Sequence, residues 1–257
     1  MPIRVLGSNG KGSTLEIERG VEWALSKGAD VINLSLGGTR FFKDAKDQHR
    51  SSLYELAKSK NVIVFASAGN SSYKLGKYYE AFNEETRKTS KGYVYSYPGS
   101  YDNVITVAAT NAKNQLTGFS NHGFGVDIAT PGSLTLSTYP GGTYKNMSGT
   151  FMAAPIAAGS YALVLSGLRK SKIERFRYGD VYPLLTKATG AGKFNKDDVL
   201  SQGVLDVHKL LVTARAKLVP EPEDETPQPQ KPEPETPQES LEPLVPEPPM
   251  DICSFQP

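Results

Sequence analysis

Three short apolar runs constrain this chain more than any other feature: VINLSL at 31–36, VIVFA at 62–66 and VITVAA at 104–109. A strand with one wet face alternates apolar and polar residues. A strand without alternation must be buried on both faces, which a parallel sheet covered by helices provides. The stretches between the runs supply the helices. Ser13 and Glu16 make a capping box, S-x-x-E, that opens a helix with Ile17, Val21, Ala24 and Leu25 on one face, and Gly28 ends it. Ser52–Ser59 reads as a second helix with Leu53 and Leu56 inward, and Gly149 to about Gly167 as a long apolar third. Ile3–Leu6, closing at Gly7, reads as one more short strand. Strands alternating with helices predict an α/β fold in three layers, with the parallel sheet in the middle.

That pattern stops at residue 218. Of 18 prolines, 12 lie in 219–257, in runs such as PEPEDETPQPQKPEPETPQ. Proline removes donors and fixes φ, and like charges repel, so this segment is expected to be an extended linker without a core. Ten acids against Lys231 give it a net charge of −9, which leaves +11 on residues 1–218 of a chain whose net charge is +2. A basic body suits nucleic acid. The aromatic–basic interleaving that reads RNA or single strands is missing, however, so nucleic acid is not an expected partner. Residues 71–95 are polar and tyrosine-rich, and read as a surface insertion with a short helix. No apolar run reaches 18 residues, so no membrane contact is expected. The start, MPIRVLGSNG, lacks the order of a secretory signal, so export of the chain by itself is not expected. Cys253 is the single cysteine and cannot form an internal disulfide.

In open parallel sheets, ligands bind beyond the carboxyl ends of the strands. Three loops fall there: Ser35-Leu36-Gly37-Gly38, Ala66-Ser67-Ala68-Gly69-Asn70, and NMSGT before the long helix. Their glycines let another backbone approach. Asn70 offers an amide donor of the kind that stabilises a developing oxyanion, although asparagine at a strand end is commonly a turn residue.

Six segments in order carry a resemblance. They are IRVLGSNGKGS at 3–13, GVEWALSKGADVINLSLGG at 20–38, VIVFASAGN at 62–70, YPGSYDNVITVAATN at 97–111, FSNHGFGVDIATPG at 119–132 and MSGTFMAAPIAAG at 147–159. Over most of residues 1–165 the chain resembles the subtilisin-like serine proteases, the subtilases. The resemblance implies a parallel sheet sandwiched by helices, incomplete here at its N-terminus. It implies that Asn70 is the oxyanion asparagine. Gly10, Lys11 and Gly12 match one substrate-flanking edge, and Ser35, Leu36, Gly37 and Gly38 the other. Ala68 and Gly69, with Ala66 and Ser67, match a wall of the specificity pocket. An extended peptide would lie between the two edges as an added strand.

The nucleophile position departs from the family. Where the family reads G-T-S-M-A, this chain reads Gly149-Thr150-Phe151-Met152-Ala153. A phenyl ring has no hydroxyl to deprotonate and forms no acyl-enzyme. Ser148 and Thr150 are neighbours at other angles. The family's catalytic Asp and His segments precede the stretch matching 3–13. His49, His122 and His208 do not match the catalytic histidine, nor Asp30 and Asp127 the catalytic aspartate. The family's strong calcium loop belongs to the same upstream part, and Asn111 stands where a weaker site often has an acid, so no firmly held metal and no cofactor are expected. Three readings follow. One is an inactive subtilase homologue, a pseudoprotease or fragment, that keeps a peptide-binding groove. Another is part of a split serine endopeptidase completed by an N-terminal chain. The third is a structural protein acting through its acidic tail.

Overall fold

The computed structural model describes residues 1–44, 49–83, 87–170 and 178–218. Residues 1–220 form one unit, and the expected linker at 219–257, with Cys253, lies outside the described residues.

The capping box at Ser13 forms as expected. Glu16 N–H donates to Ser13 Oγ at 3.2 Å, and Ser13 N–H donates to the Glu16 carboxylate at 2.7 Å. The Ser13 N–H bond foremost, and then the Ser13 hydroxyl, which donates to the same carboxylate at 2.9 Å, hold the Glu16 carboxyl below its usual range. The capping bonds pair donors that a helix start leaves open, and begin α1 (Thr14–Ser26), which buries Val21, Ala24 and Leu25. Ile3–Leu6 forms no strand. Ile3 instead packs its side chain against the cluster under α1. After Gly28 come β1 (Val31–Leu34), β2 (Gly38–Phe42), α2 (Ser52–Ser59) and β3 (Ile63–Ser67). In α2 the inward residues are Leu53, Tyr54 and Ala57, while Leu56 is 44% exposed, against expectation. At 3.6 residues per turn the first three share one arc and residue 56 falls outside it.

The segment 71–95 holds no helix among its described residues. It forms β4 (Lys74–Leu75), β5 (Tyr78–Asn83) and most of β6 (Lys88–Tyr97). Strand β6 pairs antiparallel with β5 on one side and with β2 on the other. Its partner Gly38–Phe42 lies some fifty residues upstream, so no local pattern announces the pairing. Next follow β7 (Val104–Thr110), β8 (His122–Gly123) and β9 (Ile128–Pro131), then the hairpin of β10 (Thr135–Tyr139) and β11 (Thr143–Met147). The helices α3 (Thr150–Lys170), α4 (Tyr178–Lys187) and α5 (Val207–Leu218) close the described order.

The central sheet is parallel, in the order β1-β3-β7-β9. Every residue of β3 and β7 is buried. Alternation along the pleat explains why their sequences are apolar throughout. Ile63 and Phe65 join the cluster under α3, α4 and α5, whereas Val64 and Ala66 join the one under α1 and α2. This is the three-layer α/β arrangement that the apolar runs demanded. Helix α3 is long and apolar enough by composition to cross a bilayer, which the run-length expectation missed because Gly, Ser and Pro interrupt it. It packs on β1, β3, β7 and β9, and that burial accounts for its apolar character.

Beneath the sheet, Asp127 is buried. It accepts from Thr106 N–H at 2.7 Å and from the Tyr182 hydroxyl at 2.5 Å. Burial pushes its pKa up to about 6 against those two bonds. The folded chain therefore keeps a proton that the unfolded chain releases near pH 4. A raised carboxyl pKa means that stability falls as pH rises from about 4 to about 6, then levels off.

Two outcomes are expected. Replacing Ser13 by Ala lowers the thermal midpoint by roughly 2–4 °C, read by circular dichroism. In urea titrations between pH 4 and pH 7, the stability of wild type relative to Asp127→Asn declines by about 2 kcal/mol across that window. A constant difference between the two proteins would refute the assignment.

Candidate functional site

The loops at the carboxyl ends of β1 and β3 meet the first turn of α3. The meeting has a definite cause. Pro155 has no N–H, so the carbonyl of Phe151, four residues earlier, lacks its helical donor. The Ser35 hydroxyl fills that place at 2.8 Å, and the same oxygen accepts from Asn33 Nδ2 at 3.0 Å. The loop after β1 is thus fixed to Phe151 in the first turn of α3.

Thr150 ties in the loop after β3. It is fully buried. Its Oγ1 accepts from Gly69 N–H at 3.0 Å and donates to Asn70 Oδ1 at 2.9 Å, while its N–H donates to the same Oδ1 at 2.8 Å. With its oxygen held twice, the exposed Asn70 amide presents its nitrogen, which has no hydrogen-bond partner among the described residues. This is a fixed donor, as an oxyanion requires. Gly69 has φ +98°, and a Cβ there would meet Asn121 Nδ2 at 2.5 Å, so no other residue fits. Asn121, fully buried, holds the loop from the other side. Its Oδ1 accepts from Ser71 and Tyr73 N–H, and its Nδ2 donates to the Ala68 carbonyl.

The predicted edges converge. Gly10, Lys11 and Gly12 line one cavity of about 610 Å³ together with Ser35, Leu36, Gly37, Gly38 and Phe151. Ala68, Gly69 and Asn70 do not line it. Ala68 is fully buried, and Gly69 and Asn70 bond to Thr150, the residue before the lining Phe151. Leu6, Thr14, Ile17, Glu18, Arg40, Tyr54, Tyr97, Pro98 and Tyr101 complete the lining. Sequence reasoning missed Arg40 and Tyr97 as members. Gly38 pairs with Tyr97 across β2 and β6, which only the fold reveals. A Cβ on Gly38 would meet nothing within 4 Å, so side-chain volume there enters open space.

The remaining candidates lie elsewhere. His49 is half-buried rather than exposed, because its ring packs between Tyr95, Tyr97 and Phe124 and its Nδ1 lies 2.8 Å from the Ser100 carbonyl. His122 sits on β8 and His208 on the exposed side of α5, and none of the three lines the cavity. Asp30 pairs with Arg169 at the far end of α3. Ser148 Oγ accepts from Leu134 N–H at 2.9 Å. Asn111 Oδ1 accepts from Lys113 and Gln115 N–H, which makes it a turn residue. Among the described residues, no group of three or more His, Cys, Asp and Glu side chains could hold a metal ion.

Residues 1–196 match the model of the Subtilase family, Peptidase_S8. Subtilisin Savinase of Lederbergia lenta is 38% identical over 162 residues, which cover 63% of this chain and 51% of that protein. Subtilisin DY of Bacillus licheniformis is 36% identical over 167 residues, 64% of this chain and 53% of its own length. The chain therefore spans about half the length of these curated relatives. Among solved structures, the epidermin leader peptide processing serine protease EpiP of Staphylococcus aureus aligns with a TM-score of 0.67 at 26% identity, over 82% of this chain and 57% of that one. A lanthipeptide protease aligns with a TM-score of 0.66 at 25% identity, over 82% and 68%. With the family model covering residues 1–196 and the same parallel sheet beneath them, the chain belongs to the subtilase family.

Proposed function

We propose that this chain is a non-catalytic subtilase domain that holds an extended peptide. The observation that carries the reading is Phe151, which lines the cavity between the two edge segments in the place of a nucleophile. Its ring supplies no oxygen for acyl transfer. Neither neighbour substitutes for it. Thr150 is buried with its hydroxyl spent on Gly69 and Asn70, and Ser148 lies outside the cavity, bonded to Leu134. Binding needs none of this chemistry. The backbones of 10–12 and 35–38 face a common space where a third strand gains main-chain hydrogen bonds from both.

One observation favours a second reading, the split endopeptidase. Strand β1 lies at the edge of the parallel sheet, and among the described residues no strand pairs with its outer side. Beside it runs a mostly apolar hollow of about 420 Å³, lined by Ile3, Val5, Val21, Ala24, Val31 and Ile32 among others. A further segment, from this chain or another, would complete the sheet there and bring its own polar groups to the groove.

A fluorophosphonate probe followed by peptide mass mapping is expected to label neither Ser148 nor Thr150. Labelling of either, with peptide-ester hydrolysis lost in the matching alanine variant, would sink the non-catalytic reading. Fluorescence anisotropy with labelled extended decapeptides is expected to show binding that Gly38→Trp weakens by about tenfold or more at an unchanged thermal midpoint. Equal binding by wild type and variant would place the peptide elsewhere.

A further inference from the structure

We infer that the groove selects peptides carrying an acidic side chain, and that Arg40 is the residue that selects them. This inference rests on the peptide-binding reading above.

Arg40 belongs to β2, two residues after Gly38. It leaves the strand on the same face as Gly38, since side chains alternate. Its Nη2 donates to Thr14 Oγ1 at 2.6 Å, and its guanidinium lies 5.4 Å from the centre of the Tyr97 ring. Thr14 begins α1, two residues after Gly12. Arg40 therefore ties β2, just past one edge segment, to the start of α1, just past the other.

The charge is held but not neutralised. A guanidinium carries five donors in a fixed fork, and Thr14 takes one. The ring of Tyr97 fixes the plane of the fork through a cation–π contact. Among the described residues Arg40 makes no ion pair, and the three present join other groups. Lys11 adds a second cation to the lining, and Glu18 is its one carboxylate. Glu18 is bonded to neither cation. A pinned fork that still has open donors, inside a cavity whose charged residues are two cations and one anion, matches a carboxylate bidentately. It repels lysine and arginine side chains at the same place.

The geometry also explains how the position arose. Arg40 exists at the groove because β2 extends past Gly38 to pair with β6. The two strands bring Arg40 and Tyr97 to the lining together.

The test uses the full chain and fluorescein-labelled extended decapeptides. The peptides are identical except for one residue, Glu, Gln or Lys, moved through successive positions. At one position the Glu peptide is expected to bind about tenfold more tightly than its Gln counterpart, equivalent to about 1.4 kcal/mol. That ratio shrinks as salt is raised. It falls to near one in Arg40→Gln, and in Arg40→Glu the Lys peptide becomes the tightest of the three. Thr14→Val, which unpins the guanidinium without removing its charge, lowers the ratio only in part. A Glu-to-Gln ratio unchanged in Arg40→Gln, with binding intact, would overturn the role of Arg40. Binding indifferent to peptide charge would leave the groove standing and remove the selection. Failure of every peptide to bind would remove the groove itself, and the inference with it.

Discussion

One orphaned carbonyl organises this site. Pro155 deprives Phe151 of its helical hydrogen bond, and the Ser35 hydroxyl takes up the vacancy. The bond fixes the end of β1 against the first turn of α3. One residue earlier, Thr150 does the same for the end of β3. The two loops cannot shift independently, because both are anchored within two successive residues of one helix. That helix is itself held along its length against the sheet, with Arg169 paired to Asp30 at its far end. Local geometry at residues 150 and 151 is therefore inherited from packing across the whole sheet.

The second organiser is the antiparallel sheet β2–β6–β5, which shares no strand with the central one. One face packs on an aliphatic cluster through Val94, Phe41 and Tyr79, and rings add to it. Phe42 packs edge-on against Tyr95 and Tyr97, and His49 sits among Tyr95, Tyr97 and Phe124. Such pairs add to area burial through the ring quadrupole. Tyr97 ends β6 and also meets Tyr101, so the same ring belongs to the aromatic cluster, to the cation–π contact with Arg40 and to the groove. A sheet of this kind can grow at its outer strand without disturbing the central layers.

The legible parts of the fold were those set by local physics. The apolar runs at 31, 62 and 104 became β1, β3 and β7, since only two-sided burial suits them. Ser13 and Glu16 announced α1 because a capping box is complete within four residues. Residues 71–95 were misread, because polar and tyrosine-rich sequence becomes strand only when a distant partner supplies the ladder, here Gly38–Phe42. Arg40 and Tyr97 were invisible as site residues for the same reason. Segments 10–12 and 35–38, by contrast, were singled out through the resemblance, and both line one cavity. Ile3–Leu6 formed no strand: Arg4 is exposed there, and Ile3 packs its side chain against the cluster under α1 instead.

The fixed amide of Asn70 carries one further consequence. In water its free N–H groups cost nothing, since solvent satisfies them. Any chain that lies over Asn70 expels that solvent and must then supply an acceptor, or leave a buried donor unpaired at a cost of about 1–3 kcal/mol. Peptide carbonyls recur with the period of a strand, so only alternate alignments of a bound chain meet the requirement. A donor fixed in this way would favour one phase of any chain laid over it.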